Sequence, residues 1–150
     1  MAMQERQAQA SWEGDLAGGS GHVKGITSGA LPELPVTWAA RTEAHGGKTS
    51  PEELIAAAHA SCFSMALSHE LAQGGNAPDR LEVTATVTLD RVDGAPTVTR
   101  SALEVRGRVP GIDAAAFEAA AQSAGRNCPI SRLLLGGSAE IVVVSSTLET

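Results

Sequence analysis

The sequence predicts an α+β fold with largely antiparallel sheet, and three features carry that prediction. Strand-like and helix-like segments do not alternate, but follow the order βββ-α-ββ-α-α-β. Between Arg80 and Asp90, the apolar Leu81, Val83, Ala85, Val87 and Leu89 alternate with Glu82, Thr84, Thr86 and Thr88, the period of two of a half-buried strand. A long helical stretch follows Ser50 and ends at Gly74-Gly75. At 150 residues the whole chain, 1–150, reads as a single domain.

Each element has a local reason. Residues 8–14, 22–28 and 34–40 read as short strands, parted by Gly18-Gly19-Ser20-Gly21 and by Ser28-Gly29-Ala30-Leu31-Pro32, both turn chemistry. Residues 41–49 read as a polar, Gly-rich loop. Ser50 is a good N-cap, Pro51 suits the first helical position, and Glu53 completes a capping box with Ser50. The helix is expected to run to about Gln73, with Leu54, Ala58, Cys62 and Met65 on one apolar face, Ile55, Ala66 and Leu67 widening it, and burial on most sides. After strand 80–90, a turn at Asp93-Gly94-Ala95-Pro96 leads to a second strand at about 97–109, making a hairpin that Pro110-Gly111 ends. Asp113 caps a helix from Ala114 to Ala124, closed by Gly125. Pro129 disfavours helical torsions at Cys128 and starts a short helix through Leu135. A last strand is expected from Ile141 to Leu148.

Composition narrows the function. Trp12, Trp38, Phe63 and Phe117 are the aromatic residues, and Ala, Val, Leu and Gly supply most of the apolar content. Small side chains bury little area each, so the sequence implies that a partner subunit completes the core. The formal net charge is −6, and the eleven Lys and Arg residues are scattered, which excludes the basic patch that nucleic acid requires. The first ten residues carry Glu5 and Arg6 without an apolar run, unlike a signal peptide, and no run of about 18 apolar residues suits a membrane span. A cytoplasmic setting is therefore expected. In a reducing compartment a pair of cysteines is more often catalytic or redox-sensing than structural.

Those cysteines are Cys62, within the long helix, and Cys128, in Asn127-Cys128-Pro129-Ile130-Ser131. A thiolate can attack a peroxide to leave a sulfenic acid, which a second thiol condenses to a disulfide. The chemistry needs a cation or hydrogen-bond donors at the first thiol and a second thiol within disulfide range. The residues themselves leave the two roles open. Cys128, at a helix start beside Arg126 and Arg132, is suited to a low pKa, whereas desolvation works against Cys62 unless a cation is delivered.

The helix Ser50-Pro51-Glu52-Glu53-Leu54 with Ala60-Ser61-Cys62-Phe63, the late Asn127-Cys128-Pro129-Ile130-Ser131, the Val109-Pro110-Gly111-Ile112-Asp113 turn and the opening Trp12-Glu13-Gly14-Asp15 resemble the OsmC/Ohr family of peroxiredoxin-like proteins. His59 before the cysteine is more similar to the osmotically inducible OsmC branch than to the Ohr branch. The resemblance implies an OsmC-like fold, with mostly antiparallel sheets around a long central helix, in an intertwined homodimer with interfacial active sites. It implies thiol-dependent reduction of organic hydroperoxides, and less well of hydrogen peroxide, without metal or organic cofactor. It assigns Cys62 as the peroxidatic and Cys128 as the resolving cysteine, Arg41 as the cation that stabilises the thiolate, and Glu52 as the carboxylate that orients Arg41. An external dithiol, of lipoyl type by resemblance, would reopen the disulfide.

Ten helical residues span about 15 Å, so Glu52 does not reach Cys62 along one straight helix. Arg41 bridges that gap, the helix is broken, or Glu52 serves the partner's thiol. Leu54, Ile55, Phe63 and Met65, or their dimer equivalents, are expected to receive an apolar substrate group. His59 and Cys62 have the spacing of metal ligands, but without a second close pair His59 reads as a packing or hydrogen-bonding residue. Against the enzyme stands a second class of function, a redox-sensing or ligand-binding module whose disulfide changes state without turnover.

Overall fold

The computed structural model describes residues 2–137, 140 and 142. Its elements are β1 (Ala8–Glu13), β2 (Ser20–Gly25), β3 (Leu34–Val36), α1 (Trp38–Thr42), α2 (Pro51–Gln73), β4 (Arg80–Val92), β5 (Ala95–Arg108), α3 (Ala114–Asn127) and α4 (Pro129–Leu134). The α+β class and the antiparallel pairing are as expected. The expected last strand, Ile141 to Leu148, lies outside the described residues apart from Val142. The chain forms two compact units, residues 1–57 with 87–101 and residues 58–86 with 102–150.

In the first unit, β1, β2 and β3 form an antiparallel sheet in that order. Trp12 stands opposite Gly21, where a Cβ would meet the Ser11 carbonyl oxygen at 2.2 Å, so only glycine fits. The third strand is shorter than the expected 34–40. Thr37 leaves the sheet and its hydroxyl accepts from the Ala40 amide at 3.1 Å, capping α1. Ala39, Ala40 and Arg41 then prefer helix, overriding the strand tendency of Val36, Thr37 and Trp38. Arg41 therefore lies on a short helix rather than in the polar loop expected over 41–49.

Helix α2 is continuous from Pro51 to Gln73, which removes the broken-helix alternative. Ser50 caps it by accepting from the Glu53 amide at 3.1 Å. The reciprocal half of the capping box is diverted, because the Glu53 carboxylate accepts from the Thr49 hydroxyl at 2.7 Å instead. The helix closes with Gly75 at φ +86°, where Asn76 N–H donates to the Leu71 carbonyl and Gly75 N–H to that of Ala72, a Schellman closure.

The buried stripe of α2 shares only Leu67 with the expected face. Glu52, His59, Phe63, Leu67 and Leu71 are buried, whereas Ala58 is exposed, Cys62 is half-buried and Met65 is 67% exposed. Alanines on every side of the helix blur the apolar face, and the larger Phe63, Leu67 and Leu71, four residues apart, decide which side turns inward.

In the second unit, Phe63, Leu67 and Leu71 pack with Ala124 and Cys128, and Leu81, Val83, Leu103, Val105 and Phe117 close around them. Strands β4 and β5 pair through a two-residue turn, Asp93 and Gly94, both at positive φ. Asp113 caps α3 as expected, accepting from the Ala116 amide at 2.8 Å. Gly125 does not stop α3, which runs to Asn127. The stop is Cys128, whose extended torsions (φ −62°, ψ 144°) are those a residue before proline prefers. Pro129 then opens α4, which ends at Leu134. Among the described residues no helix is long and apolar enough to cross a membrane.

Candidate active site

The four residues singled out in the sequence form two pairs. Arg41 and Glu52 belong to the first unit, Cys62 and Cys128 to the second.

Arg41 reaches Glu52 with two of its nitrogens. Nε donates to both carboxylate oxygens, at 3.0 and 3.1 Å, and Nη2 donates to Oε1 at 2.7 Å. This is the fork-to-carboxylate geometry that fixes a guanidinium plane. Glu52 is 8% exposed, in the first turn of α2, where a carboxylate also suits the helix dipole. The Arg41 guanidinium lies over the Trp38 ring, 5.7 Å from its centroid. A cavity of about 260 Å³ adjoins Arg41, with Trp12, Trp38, Leu16, Val23 and Leu54 among its walls.

Cys62 and Cys128 are free thiols close enough to hydrogen-bond each other. Both line one cavity of about 620 Å³, with Met65, Ala66, His69 and Ala124 among its largely apolar walls. Of the side chains expected to receive a substrate, Met65 lines this cavity, Phe63 is packed in the core at 2% exposure, and Leu54 lines the cavity beside Arg41. Burial pushes the Cys62 thiol above its ordinary value. A hydrogen bond from the Ile130 backbone acts the other way, and the adjacent Cys128 sulfur adds to the upward push.

Cys128 sits deeper, 1% exposed, as the N-cap of α4. Its sulfur accepts from the Ser131 amide at 3.3 Å and lies 2.9 Å from the Ser131 hydroxyl. That hydroxyl lies 2.8 Å from Nε2 of His59, which is buried and whose pKa burial lowers. The hydrogen-bonding reading of His59 is thus borne out. No group of three His, Cys, Asp or Glu able to hold a metal occurs among the described residues. Little in the sequence sets Ser131 apart, because a serine in a first helical turn is ordinary. The available signal was its place three residues after the cysteine that caps the helix.

Two free thiols thus line one largely apolar cavity of an α+β fold, the setting that thiol-based redox chemistry requires. The family model described as "OsmC-like protein" matches residues 44–143. Peroxiredoxin OsmC of Escherichia coli K12 is 46% identical over 129 residues, covering 86% of this chain and 89% of that protein. The organic hydroperoxide resistance protein of Xanthomonas axonopodis pv. citri is 32% identical over 96 residues, covering 62% of this chain and 64% of that protein. Among solved structures, the organic hydroperoxide resistance protein OsmC of Legionella pneumophila superposes with a TM-score of 0.67 at 27% identity, covering 91% of this chain and 93% of that one. The chain belongs to the OsmC-like family and is a thiol peroxidase.

Proposed function

We propose that the protein reduces organic hydroperoxides, and hydrogen peroxide less well, through a Cys62 sulfenic acid and a Cys62–Cys128 disulfide. The observation that carries this reading is the apposition of the two free sulfurs on one largely apolar cavity. The Cys62 thiolate attacks the distal peroxide oxygen, the O–O bond breaks, and the alcohol leaves. Cys128 then attacks the sulfenic sulfur, forming the disulfide and releasing water. An external dithiol, of lipoyl type by family resemblance, returns both thiols. The apolar walls suit an alkyl or aryl substituent better than the small polar hydrogen peroxide.

Because burial disfavours the Cys62 thiolate, attack at neutral pH calls for a cation at that sulfur. Arg41 is assigned that role by its match to the family arginine, and Glu52 that of holding its fork. The bonds to Glu52 use Nε and Nη2, and Nη1 is the donor assigned to the peroxide. The working unit in this reading is a homodimer, in which Arg41 and Glu52 serve the thiol of their own or the partner subunit. The exposure of Met65, and of Leu133 and Leu135 on and just after α4, supports further burial by a second copy. A cytoplasmic setting accords with thiols that must be returned to the reduced state.

Steady-state loss of cumene hydroperoxide with dihydrolipoamide as reductant tests the reading. Turnover that disappears in Cys62→Ser supports it. Turnover that survives in that variant refutes it, and a single stoichiometric burst in the wild-type chain would favour a redox sensor.

A further inference from the structure

Disulfide closure raises a problem of proton transfer. The resolving thiol must lose its proton as its sulfur attacks, and Cys128 is 1% exposed, so little of that sulfur meets the solvent of the cavity it lines. The fold puts two acceptors in line instead. Cys128 Sγ is 2.9 Å from Ser131 Oγ, and Ser131 Oγ is 2.8 Å from His59 Nε2. Ser131 is 3% exposed and His59 4%.

The arrangement is built by the chain rather than by proximity in sequence, since 72 positions separate His59 from Ser131. Pro129 sets Cys128 in extended torsions, which turns its sulfur over the first turn of α4 and onto the Ser131 amide. His59 arrives from α2, one turn before Phe63 on the same buried stripe. Two polar side chains in an apolar core are costly unless paired, and packing alone needs neither of them.

Resting on the peroxidase reading, we infer that Ser131 and His59 form a proton relay that activates Cys128 for disulfide closure. As the Cys128 sulfur attacks the Cys62 sulfenic sulfur, the S–H proton passes to Ser131 Oγ and the serine proton passes to Nε2 of neutral His59. The S–S bond forms and the S–O bond breaks. The Cys128 sulfur is oxidised, the sulfenic sulfur is reduced by the same amount, and hydroxide leaves. Hydroxide takes a proton from solvent in the cavity to become water, and the imidazolium later returns its proton to solvent, so the balance is thiol plus sulfenic acid to disulfide plus water. Ser131 touches the reacting sulfur and is catalytic, while His59 acts through it and is a positioning residue. Burial favours the neutral imidazole, and in the tautomer that carries its proton on Nδ1, Nε2 is the acceptor. The other titratable groups lining the cavity are Cys62, His69 and Glu70; Arg126 and Arg132 lie in the last turns of the two helices that flank Cys128 in sequence.

The test is single-turnover mixing of the reduced chain with one equivalent of cumene hydroperoxide, quenched by alkylation, so that mass spectrometry follows the sulfenic acid and the disulfide separately. Ser131→Ala and His59→Gln should slow closure by roughly 100-fold at neutral pH, within the range of general-base catalysis, and move its pH profile to higher pH. Ser131→Thr, which retains the hydroxyl, should restore both rate and profile. Closure in Ser131→Ala at the wild-type rate and with the wild-type profile would overturn the relay. Should the alanine and glutamine variants not fold, the wild-type chain in heavy water decides. Slower closure with a curved dependence on deuterium fraction supports two protons in flight, and equal rates overturn the relay. A wild-type chain that forms neither Cys62 sulfenic acid nor disulfide would instead bring down the peroxidase reading and the relay with it.

Discussion

Replacing Arg41 by alanine should destabilise the fold as well as slow the reaction, and the geometry sets the size of the effect. Removing one member of a buried ion pair costs about 3–5 kcal/mol, mostly because the other charge is left without a partner. An exposed pair contributes only about 0–1 kcal/mol. This pair is uneven, with the Glu52 side chain 10% exposed and that of Arg41 29% exposed. Loss of Arg41 strands the buried member, and water can reach the vacated space from the side the guanidinium shares with solvent. A value near the lower end, about 3 kcal/mol, is therefore expected for Arg41→Ala, including the contact with Trp38, worth about 0.5–1 kcal/mol. Glu52→Ala strands the better-solvated member and should cost less, about 1–2 kcal/mol. In the double variant neither charge is stranded, so urea denaturation at pH 7 should show it more stable than the sum of the single losses predicts, by about 1.5–2.5 kcal/mol. Additive losses, or a loss below about 1 kcal/mol for Arg41→Ala, would show that the fork is a surface contact and refute the reasoning.

The second unit offers a steric prediction. A Cβ at Gly107 would lie 2.6 and 2.7 Å from two ring atoms of Phe117 and 3.2 Å from Leu81 Cδ2, so Gly107→Ala should lower stability by about 1–3 kcal/mol in urea denaturation, and an unchanged midpoint would contradict the packing. Stability should also fall on acidification. Burial lowers the His59 pKa, so as pH drops through about 6.5 the unfolded chain takes up a proton before the folded chain does, and folding loses free energy. The urea midpoint of the wild-type chain should therefore drop between about pH 7 and 5.5 by more than that of His59→Gln, and equal drops would remove His59 as the cause.

How much of this was legible in the sequence depended on whether the cause was local. The ends of α2 were, because Ser50 and the glycine pair act within one turn of chain, and the alternation in β4 marked that strand plainly. The start of α1 was not, since the Thr37 hydroxyl decides between helix and strand in residues that favour either. Most of the buried stripe of α2 is not legible in the sequence, because alanine gives little contrast between faces, and two of its members, Glu52 and His59, are polar residues buried by virtue of partners elsewhere in the chain. Glu52 and Arg41 are 11 positions apart and Cys62 and Cys128 are 66, and no spacing rule brings either pair together. Family resemblance named those four residues, and the structure then showed Arg41 on Glu52 and one thiol beside the other. Ser131 became visible only from its contacts with Cys128 and His59.

The account turns most directly on the product of the first turnover. Reduced protein treated with one equivalent of an organic hydroperoxide, digested under conditions that preserve disulfides and mapped by mass spectrometry, should yield the Cys62–Cys128 peptide pair, with free thiol falling from two per chain to none. Recovery of both thiols after peroxide has been consumed, or of disulfides that leave Cys62 and Cys128 unjoined, would contradict it.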